Sequence, residues 1–307
     1  MVDAAPQAHG AQEGFDAGTV IIEHVANSGL DHPLIHLPVV AGIDFSVTKH
    51  VLMLWIVAAL VFTVVTWAVR RYVRQDSLVP TGFMNALEAI VVFVRDSMVE
   101  PNVGRKWTRV WTPLILTLFV FVLSANAIGL IPMFEVAGLA DRLVLHTSPD
   151  SFLNRALHGG ATATANFNVT AGLAVITFFS IIVAGTMANG FIQHWKKLVP
   201  SGLAWPIYIL LIPIELMGML VRPFALTMRL AANMTGGHIA ILAILSFVFL
   251  FAEMAGRAAV GIGVGLVFSV PIAVAITALE IIVVLVQAYV FALLSAVFIG
   301  MAIHAHH

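Results

Sequence analysis

Apolar and polar positions alternate along this chain in long blocks. Runs of mainly apolar residues occupy 51–69, 110–133, 169–193, 203–252 and 258–303. About 20 apolar residues are enough for a helix that crosses a hydrocarbon core of ~30 Å. The pattern therefore predicts an all-α polytopic membrane protein with about five membrane-embedded helices and a membrane helical domain at 51–303.

The last two runs, 203–252 and 258–303, are longer than one crossing requires. As single helices each would measure roughly 70–75 Å at 1.5 Å per residue. Prolines offer kink points at Pro206, Pro213, Pro223 and Pro271. We expect two long, tilted helices in an antiparallel hairpin; the alternative is three or four shorter spans with re-entrant turns.

Residues 82–100 follow an amphipathic helical pattern rather than the continuously apolar pattern of a membrane-spanning helix. Apolar residues recur there at helical spacing: Phe83, Met84, Leu87, Ile90, Val91, Val94 and Met98. Glu88, Arg95 and Asp96 fall on another face. The segment is predicted to be an amphipathic helix that lies in the interface or packs on other helices.

Lys and Arg placement predicts the orientation, because inner loops are enriched in both. With the N-terminus outside, the inner segments carry Arg70, Arg71, Arg74, Arg95, Arg105, Lys106, Arg109, Lys196 and Lys197. The outer segments carry only Lys49, Arg142, Arg155 and Arg257. We expect an outer (periplasmic) segment at 1–50 and an inner C-terminal tail at 304–307, with His304, His306 and His307 disordered.

Composition agrees with a membrane protein and excludes several classes. Hydrophobic residues make up 60% of the chain and charged residues 10%, against about a quarter charged in soluble domains. The chain has no cysteine, so disulfides and thiolate metal sites are excluded. It has no basic run for nucleic acid, and we expect neither a metal nor a cofactor.

Charged residues inside the fourth run are the main candidates for function. A guanidinium stays charged at physiological pH, and placing one at the bilayer centre costs at least ~2.5 kcal/mol. Glu215, Arg222 and Arg229 are each seven residues apart, and a helix drifts only ~20° per heptad. They form one stripe if the helix persists through Pro223, and Asn233 continues it.

The last run contains a second set of polar residues. Glu280 and Gln287 are seven residues apart. If the two long helices are antiparallel, Arg229 lies beside Gln287. Glu280 then lies ~10 Å, and His238 ~13 Å, toward the outer side, at similar depth. A carboxylate and an imidazole at one depth suit a proton relay.

The charged candidates also have structural interpretations, which the sequence leaves open. Arg222 is then a snorkelling residue that sets topology. Arg229 is then paired with Glu215 or Glu280. His238 is then a hydrogen-bonded packing residue.

The amides have structural alternatives too. Ordinary interhelical hydrogen bonds would account for Asn233 and Gln287. Asn126, Asn166 and Asn168 are weak candidates for an outer mouth, and their default interpretation is as cap or loop residues.

Two motifs now indicate a family. RLAANMTGGH at 229–238 and EIIVVLVQAYVF at 280–291 resemble subunit a of the F-type ATP synthase, with weaker support from SANAIGLIP at 124–132 and NFNVT at 166–170. The resemblance covers most of 46–303. It implies a proton-translocating stator subunit without catalysis of its own. We expect a bacterial inner membrane rather than an organelle, because the outer tail is long for an organellar version. The implied partners are an oligomeric c ring, peripheral-stalk b subunits, the rest of the complex and the lipid bilayer.

The resemblance also implies residue roles. Arg229 is similar to the essential stator arginine that separates two offset half-channels, and Gln287 to its neighbour on the last helix. His238 and Glu280 are similar to the paired outer half-channel groups, although some members have the acid first and the histidine second. Asn233 is similar to a half-channel polar residue.

Further positions match less closely. Glu215 and Arg222 fall where the family often has an acid and a base, toward the inner half-channel. Gly129 and Asn166 stand where some relatives have acidic groups of the outer channel, so the outer entry here is expected to depend on other polar residues and water.

Two other functions are alternatives to the interpretation as a stator subunit. A proton- or ion-coupled secondary transporter would use the same buried charges, but such folds often carry inverted repeats and none is visible. A passive membrane scaffold does not explain Arg229.

Overall fold

The structure is a computed structural model that describes residues 18, 35, 37–40, 43–44, 46–74, 81–130, 163–196 and 205–304. Most of the predicted outer segment 1–50, most of the loop between the second and third runs, and residues 305–307 lie outside the described residues.

The elements are as follows. Strands β1 (Val39–Val40) and β2 (Ile43–Asp44) pair antiparallel. They precede α1 (Lys49–Val73), α2 (Phe83–Phe93), a π-helical turn (Val94–Val99), α3 (Glu100–Val103) and α4 (Arg105–Leu130). A 3-10 turn (Ala163–Ala165), α5 (Phe167–Asn189) and α6 (Phe191–Lys196) follow. The chain ends with α7 (Trp205–Met254), α8 (Ala258–Val264), a second π-helical turn (Gly265–Ser269) and α9 (Val270–Ile303).

The predicted all-α membrane architecture is confirmed. Five helical segments are long and apolar enough to cross a membrane: Lys49–Val73, Arg105–Leu130, Phe167–Asn189, Pro206–Met254 and Ala258–Ile303. The fourth belongs to α7 (Trp205–Met254), one unbroken helix of 50 residues, and the fifth is helical throughout. The long-helix interpretation of the last third is therefore correct, and the division into three or four shorter spans is wrong.

The described chain forms two compact units. The smaller contains Gly236–Leu279, and the larger contains the described parts of Asn27–Thr235 and Glu280–His307.

In the smaller unit, α7 ends in a Schellman motif. Gly256 has φ 59°, a left-handed conformation that costs glycine least. The Arg257 N–H donates to the carbonyl of Ala252 at 3.1 Å, and the Gly256 N–H donates to the carbonyl of Glu253 at 3.0 Å. These two bonds satisfy carbonyls that the helix end would leave unpaired.

The helical segments on either side of this turn pack closely in the smaller unit. A Cβ at Gly261 would overlap the carbonyl oxygen of Val248 and the side chain of Ala252. The π-helical turn Gly265–Ser269 precedes Pro271, which has no N–H and whose ring crowds the carbonyl four residues before it. The wider π turn accommodates that proline without ending the helix.

The predicted amphipathic segment is only partly as expected. No residue of α2 is buried, whereas Val94, Met98 and Val99 in the π turn are fully buried at 0% exposed. The π turn adds a residue to one turn, so Met98 and Val99 both point into the core. The polar face is as predicted, since Arg95 and Asp96 form an exposed ion pair at 2.6 Å.

In the larger unit, α5 and α9 run side by side in the same direction. Thr177 Oγ1 and Ser295 Oγ, both fully buried, lie 3.3 Å apart. Twelve residues further on, Asn189 Nδ2 donates to the carbonyl of Ala302 at 3.3 Å. Polar contacts at two levels therefore fix the position of α9 along α5.

The end of α9 is anchored to the α3–α4 turn. Gly300 lies so close to Asn102 that a Cβ there would overlap its backbone. The ring Nε2 of His304 lies 3.1 Å from the carbonyl oxygen of Val103. The prediction that His304 belongs to a disordered tail is wrong, because α9 packs tightly enough to bring this ring against the turn.

Candidate functional site

The charged stripe predicted on α7 exists. Arg222 Nη2 lies 3.8 Å from Glu215 Oε1, with side chains 33% and 37% exposed. The Arg222 guanidinium also lies 5.7 Å from the ring centroid of Phe298 on α9. Helix α7 continues unbroken through Pro223, so the seven-residue spacing places these side chains on one face as expected.

A hydrogen bond between amides joins α7 to α9. Asn233 Nδ2 donates to Gln287 Oε1 at 3.0 Å. Together with the ring contact of Arg222, this bond shows that the two helices are antiparallel and sets their stagger. The stagger places the backbone of Arg229 level with Phe291, about one turn (~6 Å) away from Gln287.

The backbone of Arg229 is thus offset from Gln287 by about one helical turn, and a direct interaction between the two side chains stays a prediction. The spacing of residues in the sequence determines only their positions along one helix. The stagger between the helices depends on packing, in which Ala288, Phe291 and Ala292 are completely buried at 0% exposed.

Gln287 is 4% exposed. Its Oε1 accepts the bond from Asn233, and within the described part of the chain its Nε2 has no acceptor. The interpretation of these two amides as an interhelical hydrogen bond is confirmed. The pair therefore leaves one buried amide donor without an acceptor among the described residues.

Arg229 is exposed on the surface of the chain. Among the described residues it forms neither an ion pair nor a hydrogen bond, so structural pairing with Glu215 or Glu280 is excluded. Its neighbours Phe224 and Met228 are 54% and 44% exposed. The result is an apolar helix surface that displays one permanent cation.

Glu280 is buried, 4% exposed, at the start of the α9 segment in the larger unit. His238 is half-buried on α7 in the smaller unit. Their pairing in a relay stays a prediction.

The three asparagines considered for an outer mouth have different environments. Asn166 is the N-cap of α5, and its Oδ1 accepts from the N–H of Asn168 at 2.8 Å. Asn126 is 1% exposed and accepts from Thr164 Oγ1 at 2.5 Å. The interpretation as a cap residue is confirmed for Asn166. It is wrong for Asn126, which lies buried inside α4, and the side chain of Asn168 is exposed.

Sequence reasoning missed two threonines that orient α7. Thr227 Oγ1 lies 3.5 Å from the carbonyl oxygen of Thr170, and Thr235 Oγ1 lies 3.5 Å from that of Ala165. Both bonds hold α7 against α5 and its preceding turn, on the side away from Arg229. A hydroxyl in an apolar run is the available signal, but its partner is not readable from sequence.

Metal ligation has no support at this site. Among the described residues, no three His, Asp or Glu side chains gather in a way that could hold an ion. The candidate residues comprise two permanent cations, two carboxylates, an imidazole and two amides.

Known proteins match nearly all of this sequence. The family profile described as ATP synthase A chain matches residues 51–300. The chain belongs to this family. The match includes nearly all of each long helix and all the charged and amide candidates on α7 and α9.

Curated relatives agree. The chain is 38% identical to "ATP synthase subunit a 2" of Prosthecochloris aestuarii, covering 98% of this chain and 83% of the relative. It is 38% identical to "ATP synthase subunit a 2" of Chlorobium luteolum, covering 97% and 79%. It is also 38% identical to "ATP synthase subunit a" of Anaeromyxobacter dehalogenans, covering 86% and 60%. This member of the ATP synthase A chain family is a multi-pass membrane protein.

Proposed function

We propose that the chain is the proton-translocating stator subunit of a rotary F-type ATP synthase. The observation that carries the proposal is Arg229, an exposed cation on an apolar spanning helix that has no counter-charge among the described residues. Facing lipid, it would cost at least ~2.5 kcal/mol. A carboxylate supplied by another chain removes that cost, and the c ring of an ATP synthase is the partner with such carboxylates.

The arginine then controls the state of the ring carboxylate. Away from Arg229 the carboxyl group must be protonated, because a bare anion in lipid is expensive. Opposite Arg229 the ionised form is favoured, so the proton leaves. Each arriving carboxylate therefore exchanges its proton as it passes this helix.

Two offset half-channels lead to this exchange point. His238 and Glu280 line the outer one, and Glu215 and Arg222 lie toward the inner one. Asn233 and Gln287 lie between these sets, one turn from Arg229. A proton cannot pass the permanent cation, so it must travel on the ring, and each charge moved through 100 mV supplies ~2.3 kcal/mol for rotation.

The same proposal includes location and partners. The chain lies in a bacterial inner membrane, with the segment 1–50 outside, the membrane domain 51–303 and the tail 304–307 inside. It assembles with the c ring, the peripheral-stalk b subunits and the remainder of the synthase. Asn126, Asn166 and Asn168 lie at the outer mouth.

The test uses the whole synthase reconstituted in vesicles with Arg229→Ala, Arg229→Lys and a matched control, Arg109→Ala. Arg109 is an exposed arginine on α4 outside the proposed path. We expect Arg229→Ala to abolish ATP synthesis driven by a proton gradient and to raise passive proton leak. Arg229→Lys retains the charge without the planar fork and should block leak while synthesis falls.

Wild-type synthesis by Arg229→Ala would refute the role of this residue. Solute accumulation by the chain reconstituted alone would instead support the competing secondary transporter.

A further inference from the structure

A groove follows the C-terminal end of α1, outside the site described above. Its volume is about 640 Å³, and it is lined by Phe62, Thr63, Thr66, Trp67, Arg70, Arg71 and Arg74. All of these residues lie on one face of α1, within the larger unit. The groove therefore has an apolar end toward the middle of the span and a basic end at its terminus.

Within the described part of the chain, no acidic side chain neutralises the basic end of the groove. Arg70, Arg71 and Arg74 are exposed, and within the described residues none of them forms an ion pair. The Arg71 guanidinium lies 5.5 Å from the ring centroid of Trp67, a contact that fixes the tryptophan at the junction of the two ends.

Other arginines of the chain are arranged differently. Arg95 is bonded to Asp96 at 2.6 Å, and Arg105 to Glu100 at 3.0 Å. Together with Arg109, these two line another groove, of about 610 Å³, that also contains the carboxylate of Glu100. An anion has less to gain there, so the α1 groove is distinguished by charge as well as by shape.

A third, smaller groove shares the lining residues Trp67 and Arg71 with the α1 groove. Its volume is about 300 Å³, and its far wall is formed by Thr81, Gly82, Phe83 and Met84 at the start of α2. Trp67 and Phe83 are 57% and 51% exposed. The apolar surface next to the arginines therefore extends from α1 to α2.

We propose that the α1 groove binds an anionic phospholipid, with the headgroup phosphate on Arg70, Arg71 and Arg74 and an acyl chain along Phe62 and Trp67. Guanidinium groups bind phosphate oxygens in a bidentate manner. The end of a spanning helix places the arginines at headgroup level, where tryptophan is also favoured. The 71% exposed Phe62 lies three turns into the span and matches an acyl chain better than an acidic protein segment.

The experiment uses the intact synthase in phosphatidylcholine vesicles that contain a small fraction of phosphatidylglycerol with a photoactivatable acyl chain. After illumination, the labelled peptides are identified by mass spectrometry. Competition with unlabelled phosphatidylglycerol or phosphatidylcholine measures selectivity for the anionic headgroup. The test variant is Arg70→Gln with Arg74→Gln, and the control variant of equal charge change is Arg95→Gln with Arg105→Gln.

We expect labelling within residues 62–74. Unlabelled phosphatidylglycerol should reduce this labelling, and unlabelled phosphatidylcholine should not. At ~1 kcal/mol per arginine near an anionic surface, the test variant should lose labelling by roughly 10- to 30-fold, and the control variant by less than twofold. Arg70→Lys with Arg74→Lys preserves the charge that sets topology and should retain an intermediate level.

Equal labelling in the test and control variants would overturn the proposal. So would competition by both lipids alike. Crosslinking of the groove to an acidic segment of a partner subunit, with lipid excluded, would overturn it as well.

Discussion

Gly300 is the position at which the packing of α9 is most sharply testable. A Cβ added there would overlap the carbonyl oxygen of Asn102 and lie 2.8 Å from its carbonyl carbon and 3.5 Å from its Cα. These atoms belong to the backbone of the short helix α3, so no side-chain rotation can relieve the overlap. Gly300→Ala must displace either α9 or the α3–α4 turn.

The expected net loss of stability is ~1–2 kcal/mol. Overpacking a close contact costs ~1–3 kcal/mol, and alanine recovers ~0.5–1 kcal/mol relative to glycine within a helix. The matched control is Gly172→Ala on α5, where a Cβ meets nothing within 4 Å. That variant should be neutral or slightly more stable.

Thermal unfolding of the detergent-solubilised full chain, followed by circular dichroism, measures both variants. The midpoint of Gly300→Ala should fall by ~2–6 °C. Because α9 also carries Gln287, its displacement should weaken the bond to Asn233. A Gly300→Ala midpoint equal to that of Gly172→Ala would show that α9 does not pack on Asn102 as described.

Further predictions concern other contacts. A double-mutant cycle of Asn233→Ala and Gln287→Leu should give a coupling of ~0.6–1.7 kcal/mol in unfolding experiments, and additive effects would exclude the bond. Gly256→Ala should lower stability by ~1–2 kcal/mol because of its left-handed backbone, whereas Gly263→Ala, which is also free of contacts within 4 Å, should not. Burial lowers the pKa of His194 below its ordinary 6.5. His194 therefore binds a proton at a higher pH in the unfolded chain than in the folded chain. Stability should drop as the pH falls below 6.5. A His194→Gln variant with the same pH dependence from pH 8 to 5 would contradict this.

Some features followed from the sequence alone. The five apolar runs specified the five spans, because a helix that crosses ~30 Å of hydrocarbon needs about 20 apolar residues and few other patterns satisfy this. The heptad spacing of Glu215 and Arg222 predicted their shared face, since helical geometry relates positions within one element. Arg229 was identifiable because a charge in an apolar run is rare.

The tertiary structure decided how the helices are placed against one another. The stagger that pairs Asn233 with Gln287 and leaves Arg229 one turn away depends on how the side chains of α9 interlock with those of its neighbours, and no periodicity encodes that. The same packing placed Asn126 against Thr164 and His304 against Val103. A sequence fixes which residues share a face of one helix, whereas close packing among helices selects which face is buried and at what level two faces meet.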